Sequence, residues 1–246
     1  MTDIKLIALD VDGTLVNPEG TVSDANIKAV QKAKDKGIHV LLSTGRSLSR
    51  CRDIADQLGR SSYIVTINGG EIYNQDFELV DQTLLEPHHV SRLWELKEEH
   101  GLYFWSSTEQ GIFNSQEPFE KEIEEYNWLK FGFDIEDDDI REAILQELNG
   151  NQDLEVTNSS PTNIEVNPTG VTKAAALLKV CDWLDLRMEN VMAVGDSMND
   201  IAMIRESGVG VAMGNAQDEV KQEATFVTGT NAEDGVAQAI EKILNS

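Results

Sequence analysis

Residues 6–16 read LIALDVDGTLV. An apolar run meets Asp10, steps over Val11, and meets a second carboxylate at Asp12, with Gly13 and Thr14 following. Two like charges this close disfavour each other's ionised form, so the pair calls for a cation or a reaction. Three further runs end in the same manner. LLSTGR delivers Thr44, Gly45 and Arg46, TINGG delivers Asn68 before two glycines, and VMAVGDSMND delivers Asp196, Asn199 and Asp200. Taken singly, each has a plain structural reading: a Thr-Gly turn, an Asn-Gly turn former, a helix N-cap at Asp196. A calcium loop fits the first stretch poorly, because an EF-hand needs glycine at its sixth position and glutamate at its twelfth. Here Gly13 stands fourth and a strand-like segment leads in. Their shared placement is what joins these groups. In open parallel α/β sheets ligands bind beyond the carboxyl ends of the strands, and all of these groups fall at such ends.

The elements that must position them are legible from periodicity. Residues 4–9, 38–43 and 63–67 are continuous apolar strands. Between them lie a helix from Ser23 to Gly37, with a serine N-cap and a glycine stop, and a helix from Ser47 to Leu58. Buried strands alternating with helices predict βαβ units and a parallel sheet. Residues 71–81 predict a hairpin turning near Asn74–Asp76. After Leu85 the texture changes. A helix runs from Pro87 to Gly101, a hairpin carries YFWSS and GIFNS, and acidic helices cover about 117–130 and 137–148. LEVTNS and NIEVNP follow as strands. From Thr172 the alternation resumes: helix 172–184, strand 191–195, helix 198–206, strand 209–213, and helices near 216–223 and 232–244. The expectation is a discontinuous α/β core of residues 1–83 and 163–246, its mostly parallel sheet interrupted by an inserted α+β domain at 84–162. Trp94, Phe104, Trp105 and Phe113 read as packing inside that insert, and Glu165 and Asn167 stand close to the return into the core.

The 246 residues are 40% hydrophobic and 26% charged, an ordinary globular balance. The net charge of -24 disfavours nucleic acid and anionic membranes as partners. The acidity is uneven, with 19 acidic against 5 basic residues in 84–162. No apolar run approaches a membrane span, and the N-terminus lacks a basic region of the signal-peptide kind. Cys51 and Cys181 are too few for a disulfide framework, so reduced thiols in a cytoplasm are the simplest expectation.

DVDGT, STGR, the Lys173 of GVTKAAAL, and GDSMND resemble, in order, the four motifs of the haloacid dehalogenase superfamily. The spacing and the mid-chain insert resemble its Cof-type, sugar-phosphatase-like branch with a type-IIB cap. The resemblance implies a Rossmann-like three-layer core and Mg²⁺-dependent hydrolysis of small phosphomonoesters, sugar phosphates or related metabolites. In its terms Asp10 is the nucleophile that forms an aspartyl-phosphate, and Asp12 the general acid and then base. Asp10, Asp196 and the Asp12 backbone carbonyl are metal ligands. Thr44, Lys173, Asn199 and the amides of Val11 and Gly45 hold the phosphate, and Asp200 supports Lys173 or a metal-bound water. Asn68 joins the site only through this resemblance. Arg46 contacts a substrate oxygen or forms a salt bridge; its residue type allows both. Lys173 alone would read as a solvated lysine at an electrostatically unfavourable helix start. Ala174 stands where the family usually has glycine after that lysine. Two rival readings keep the same core: a phosphohexomutase, recognised by isomer formation in place of phosphate release, and a non-catalytic metal- or metabolite-binding homologue, recognised by binding without turnover. Monomer and homodimer are both compatible with the sequence.

Overall fold

The computed structural model describes residues 3–59 and 61–245. The chain divides into two compact units, Met1–Asp81 with Thr172–Ser246, and Gln82–Val171. In chain order the elements are β1 (Leu6–Leu9), α1 (Asp24–Asp35), β2 (His39–Ser43), α2 (Leu48–Gln57), β3 (Tyr63–Thr66), β4 (Glu71–Asn74) and β5 (Leu79–Gln82). The middle of the chain holds α3 (Pro87–His100), β6 (Tyr103–Thr108), β7 (Gly111–Asn114), β8 (Trp128–Asp134), α4 (Asp138–Asn149), β9 (Leu154–Thr157) and β10 (Asn163–Pro168). The last part holds α5 (Lys173–Trp183), β11 (Val191–Gly195), α6 (Ile201–Glu206), β12 (Val209–Ala212), α7 (Asp218–Glu223), β13 (Phe226–Val227) and α8 (Gly235–Leu244).

Among the described residues the first unit carries an eight-stranded sheet in the order β13-β12-β11-β1-β2-β3-β4-β5. β1 lies between β11 and β2 and is parallel to both. All four of its residues are buried, as a strand covered on both faces requires. Alternation splits those faces. Ile7, Leu9, Val40, Leu42, Met192 and Val194 pack with α1, α2 and α8, whereas Leu6, Ala8, Leu41, Val65 and Ala193 pack with α5. The result is three layers. From β1 the chain builds outward through β2 and β3 on one side, and later through β11 and β12 on the other. This makes a switch point beside β1, where the carboxyl ends of β1, β2 and β11 lie together. The hairpin expected at 71–81 supplies β4 and β5, and β4 runs antiparallel to β3.

The second unit is a five-stranded sheet, β7-β6-β8-β10-β9, with its described pairings antiparallel. Phe104, Phe131, Phe133, Ile164 and Val166 point to the face that packs with Leu93 and Leu96 of α3 and Ile144 and Leu148 of α4. The alternate positions are polar: Ser107, Lys130, Glu165 and Asn167 are buried there. Trp105 belongs to that alternate row and lies against Gly132, where a Cβ would come within 2.3 Å of the indole. It is therefore outside the aromatic core that Trp94, Phe104 and Phe113 do join.

Two further expectations are corrected. The acidic stretch 117–130 is not a helix; it holds one short turn at Ile123–Glu125 and then enters β8. Trp128, Phe131 and Phe133 are fully buried, and their burial in the sheet outweighs the helical propensity of the glutamates before them. The strand at 163–168 belongs to the second unit, because β10 pairs with β8 and β9. NIEVNP is equally strand-like for either sheet, so only pairing moves the boundary from 163 to 172. Among the described residues no helix is long and apolar enough to cross a membrane. Cys51 and Cys181 are both free and buried, and burial pushes their thiols up to about 12 and about 11.

Candidate active site

Every residue of the site comes from the first unit. Asp10 follows β1 directly and is 5% exposed, with its N–H donated to the Val194 carbonyl at 3.0 Å. Lys173 opens α5 after Thr172, whose hydroxyl accepts the Ala175 N–H at 3.0 Å and caps the helix. The Lys173 Nζ donates to Asp10 Oδ1 at 2.7 Å and to Asp200 Oδ1 at 2.6 Å. The other oxygen of Asp200 accepts the amides of Asp196 and Ser197, at 3.0 and 3.1 Å. Gly195 is what lets Asp200 fold back so far, since a Cβ there would lie 2.4 Å from its carboxyl carbon. Asp196 is held by the Thr14 hydroxyl and its neighbour Ser197, both donating at 3.1 Å. Gly13, at φ +73°, brings the loop after β1 so close that a Cβ would meet Asp196 Oδ2 at 2.4 Å.

Carboxylate oxygens of Asp10, Asp196 and Asp200 thus lie within 4.8 Å of one another. One ammonium among three carboxylates leaves two negative charges uncompensated, and the free energies reflect this. Burial, only partly offset by Lys173, pushes Asp10 well above the usual carboxylate range, with Asp200 and Asp196 adding to the rise. Burial and then Asp200 push Asp196 up to about 6. Burial works against the Lys173 charge, but Asp10 and Asp200 outweigh it and raise that pKa. A hard, oxygen-seeking divalent cation matches both the donor atoms and the missing charge. A cation must displace the proton from Asp196, so its affinity depends on pH. With Mg²⁺ as the calorimetric probe, affinity is expected to fall about tenfold per unit of pH below 6 on account of Asp196 alone, with proton release on binding. Affinity unchanged between pH 7.5 and 5 would place the cation elsewhere.

The remaining expected residues lie in the loops that follow β1, β2, β3 and β11. Thr44 is fully buried at the end of β2 and its hydroxyl accepts the Arg46 N–H at 3.1 Å. Val11 is buried directly after Asp10, and Gly45 lies between Thr44 and Arg46. The Asn199 Nδ2 donates to Asn68 Oδ1 at 3.3 Å, while its own Oδ1 is buried without a hydrogen-bond partner. Asp12 departs from expectation. An extended chain would put it on the face of Asp10, but β1 ends at Leu9 and the chain turns through Gly13. The Asp12 carboxylate is instead exposed and gripped by Arg46, whose Nε and Nη2 donate to its two oxygens at 2.8 and 2.6 Å. The two carboxylates of DVD therefore have separate cations, and the crowded set is Asp10, Asp196 and Asp200. Thr14, Ser197 and Asn215, which donates to the Gly13 carbonyl at 2.8 Å, also shape the site. The first two stand inside the quoted motifs; Asn215 had no signal in the sequence.

A sequence profile described as haloacid dehalogenase-like hydrolase matches residues 7–240. The chain belongs to this family. It is a phosphoric monoester hydrolase of the Cof type, as its relatives bear out. A Bacillus subtilis protein named 5-amino-6-(5-phospho-D-ribitylamino)uracil phosphatase YcsE is 56% identical over 238 residues, covering 97% of this chain and 95% of that one. A second from the same organism, YwtE, carries the same activity in its name and is 30% identical over 98% of this chain and 99% of its own. A solved haloacid dehalogenase-like hydrolase from B. subtilis superposes with a TM-score of 0.88 at 26% identity, covering 97% and 99% of the two chains.

Proposed function

We propose that this family member is a Mg²⁺-dependent phosphatase working through an aspartyl-phosphate on Asp10, and that its substrate is 5-amino-6-(5-phospho-D-ribitylamino)uracil. The reaction class rests on one observation: a buried carboxylate at the carboxyl end of the central strand, locked to a buried lysine and flanked by two further carboxylates. The substrate rests on the 56% identity to YcsE over nearly the whole chain.

Lys173 holds Asp10 Oδ1, which leaves Oδ2 as the attacking atom. Attack forms the Oδ2–P bond and breaks the bond from phosphorus to the ester oxygen, splitting one hard displacement into two. Asp10, Asp196 and the Asp12 carbonyl, with Asp200 nearby, would hold the Mg²⁺, and the bound ion would supply positive charge between an anionic nucleophile and an anionic phosphoryl group. The Lys173 ammonium, the Thr44 hydroxyl and the amides of Val11 and Gly45 receive charge on the phosphoryl oxygens. Asn199 is oriented by Asn68 for the same purpose. Asp12 protonates the departing oxygen and then takes a proton from the water that cleaves the acyl-phosphate. It must first release at least one oxygen from the Arg46 fork, in which both accept hydrogen bonds.

The test is phosphate release from the ribitylaminouracil phosphate and from p-nitrophenyl phosphate, each with Mg²⁺ and with EDTA. Release that requires Mg²⁺, with kcat/KM at least roughly tenfold higher for the ribitylaminouracil ester, is the expected result. Undiminished release in EDTA refutes the metal, and a preference for other metabolites refutes the substrate.

A further inference from the structure

Ile67, Asn68 and Gly69 have φ of +52°, +58° and +105°, three successive residues in the left-handed half of backbone space. Gly69 adopts this freely, and Asn68 tolerates it. Ile67 is β-branched and fully buried, and such a residue stays there only where its surroundings hold it. The holding contacts reach three of the other loops of the site, those after β2 and β11 and the one that leads into α5. The Ile67 N–H donates to the Arg46 carbonyl and the Asn68 N–H to the Thr44 carbonyl, both at 3.0 Å. The Asn68 side chain accepts from Asn199. The bare Cα of Gly69 backs onto the carbonyl of Thr172, the cap residue immediately before Lys173: a Cβ at Gly69 would stand 2.5 Å from that oxygen and 3.2 Å from the Ala176 Cβ.

We propose that this turn is the positioning element for Lys173, acting through the seat that Gly69 makes for the Thr172 carbonyl. The inference rests on the reading that Lys173 meets phosphoryl charge. A methyl at Gly69 forces the start of α5 away by about 1 Å to reach ordinary contact, and a displacement of that size at a reacting centre lowers a rate roughly 10²-fold. Lys173 is fixed between Asp10 and Asp200 by bonds of 2.7 and 2.6 Å, so it has little slack to absorb the shift. Gly70 is the internal control. It has ordinary helical backbone, and the three atoms nearest a Cβ there all belong to Ile67, its side chain at 3.2 Å and its carbonyl oxygen at 3.3 Å, and none to α5.

The experiment compares inhibition of p-nitrophenyl phosphate hydrolysis by orthovanadate, which mimics the five-coordinate transition state, and by inorganic phosphate, with Mg²⁺ present throughout. Gly69→Ala is expected to weaken vanadate roughly 30-fold or more while changing phosphate by less than about 3-fold, and Gly70→Ala to keep the wild-type ratio. A wild-type ratio in Gly69→Ala, or an equal loss in Gly70→Ala, overturns the inference alone. If Gly69→Ala does not fold, Thr172→Ala tests the same junction by removing the cap. It is expected to lower the ratio roughly 5-fold, and an unchanged ratio there overturns the inference. A wild-type protein that binds vanadate no better than phosphate and releases no phosphate overturns the parent reading, and this one with it.

Discussion

Asp10→Asn lowers kcat for phosphate release by at least ~10³-fold and, in metal-free buffer at pH 7.5, raises the melting temperature. On the proposed mechanism the loss follows from replacing the anionic, nucleophilic carboxylate by a neutral amide that keeps the shape of the side chain. The gain follows from the pKa. Burial, opposed by Lys173 and reinforced by Asp200 and Asp196, raises the Asp10 pKa well above its ordinary value. The folded state therefore holds this proton more tightly than the unfolded state does. Stability from this group is greatest in acid and falls as pH rises from the unfolded pKa towards the folded one. At pH 7.5, above the unfolded value, a raised pKa makes this carboxyl group a net cost to folding, and the neutral amide removes it. Lys173 keeps Asp200 as its partner. Saturating Mg²⁺ reverses the ranking, because it stabilises the wild type by mass action and finds one carboxylate fewer in the variant. Thermal melts of both proteins in EDTA and in Mg²⁺, beside a phosphate-release assay, make the check. A lower melting temperature for the variant in EDTA would mean that the carboxylate is stabilising, contrary to its raised pKa.

Lys173→Met has the largest effect on stability. The lysine is 1% exposed and is the one ammonium bonded to Asp10 and Asp200 among the described residues. Removing one partner of a buried ionic group leaves the other charges uncompensated, which costs about 3–5 kcal/mol. For a chain of this size that lowers the melting temperature by roughly 6–20 °C. The sign with pH is set by two groups. The raised Lys173 pKa means that its stabilisation is intact below the ordinary lysine value and is lost only as pH rises through the folded one, so it is fully present at pH 7.5. Asp196 titrates at about 6, so at pH 5 it is mostly protonated and less countercharge is needed. The deficit of the variant is thus larger at pH 7.5 than at pH 5. The rate of phosphate release falls by roughly 10²–10³-fold as the charge facing the phosphoryl oxygens is lost. Melts at the two pH values, with EDTA, decide it: an equal deficit at both would show that lost packing, and not charge, carries the effect. Adding Asp10→Asn to Lys173→Met should restore part of the stability, because the two groups are in direct contact and their effects do not add.

Much of this was legible in the chain because the chemistry is local. Asp10, Thr44, Asn68 and Asp196 each stand where an apolar run ends, and the run itself marks the strand. The parallel sheet followed from strands buried on both faces, and the first helix start from Ser23, which caps as its type dictates. Lys173 was the hard case: as a helix-start lysine it looked like a surface residue, and only the company of three other motifs recommended it. The stretch 117–130 misled because its glutamates favour helix locally, while Trp128, Phe131 and Phe133 are drawn into a sheet whose partner strands lie elsewhere in sequence.

The sequence by itself determined which polar groups stand where apolar runs end and which runs are strands, because residue type, strand period and capping act over a few residues. The tertiary structure alone decided which charges neutralise which. The ammonium of Lys173 crosses 163 residues of chain to reach Asp10 and only 27 to reach Asp200. Arg46 holds Asp12 because the chain turns at Gly13 and does not run straight. The seat of the Thr172 carbonyl on Gly69 needs two loops folded against each other. Pairings of this kind depend on distance in space and on exclusion of water, and neither quantity exists until the sheet has closed.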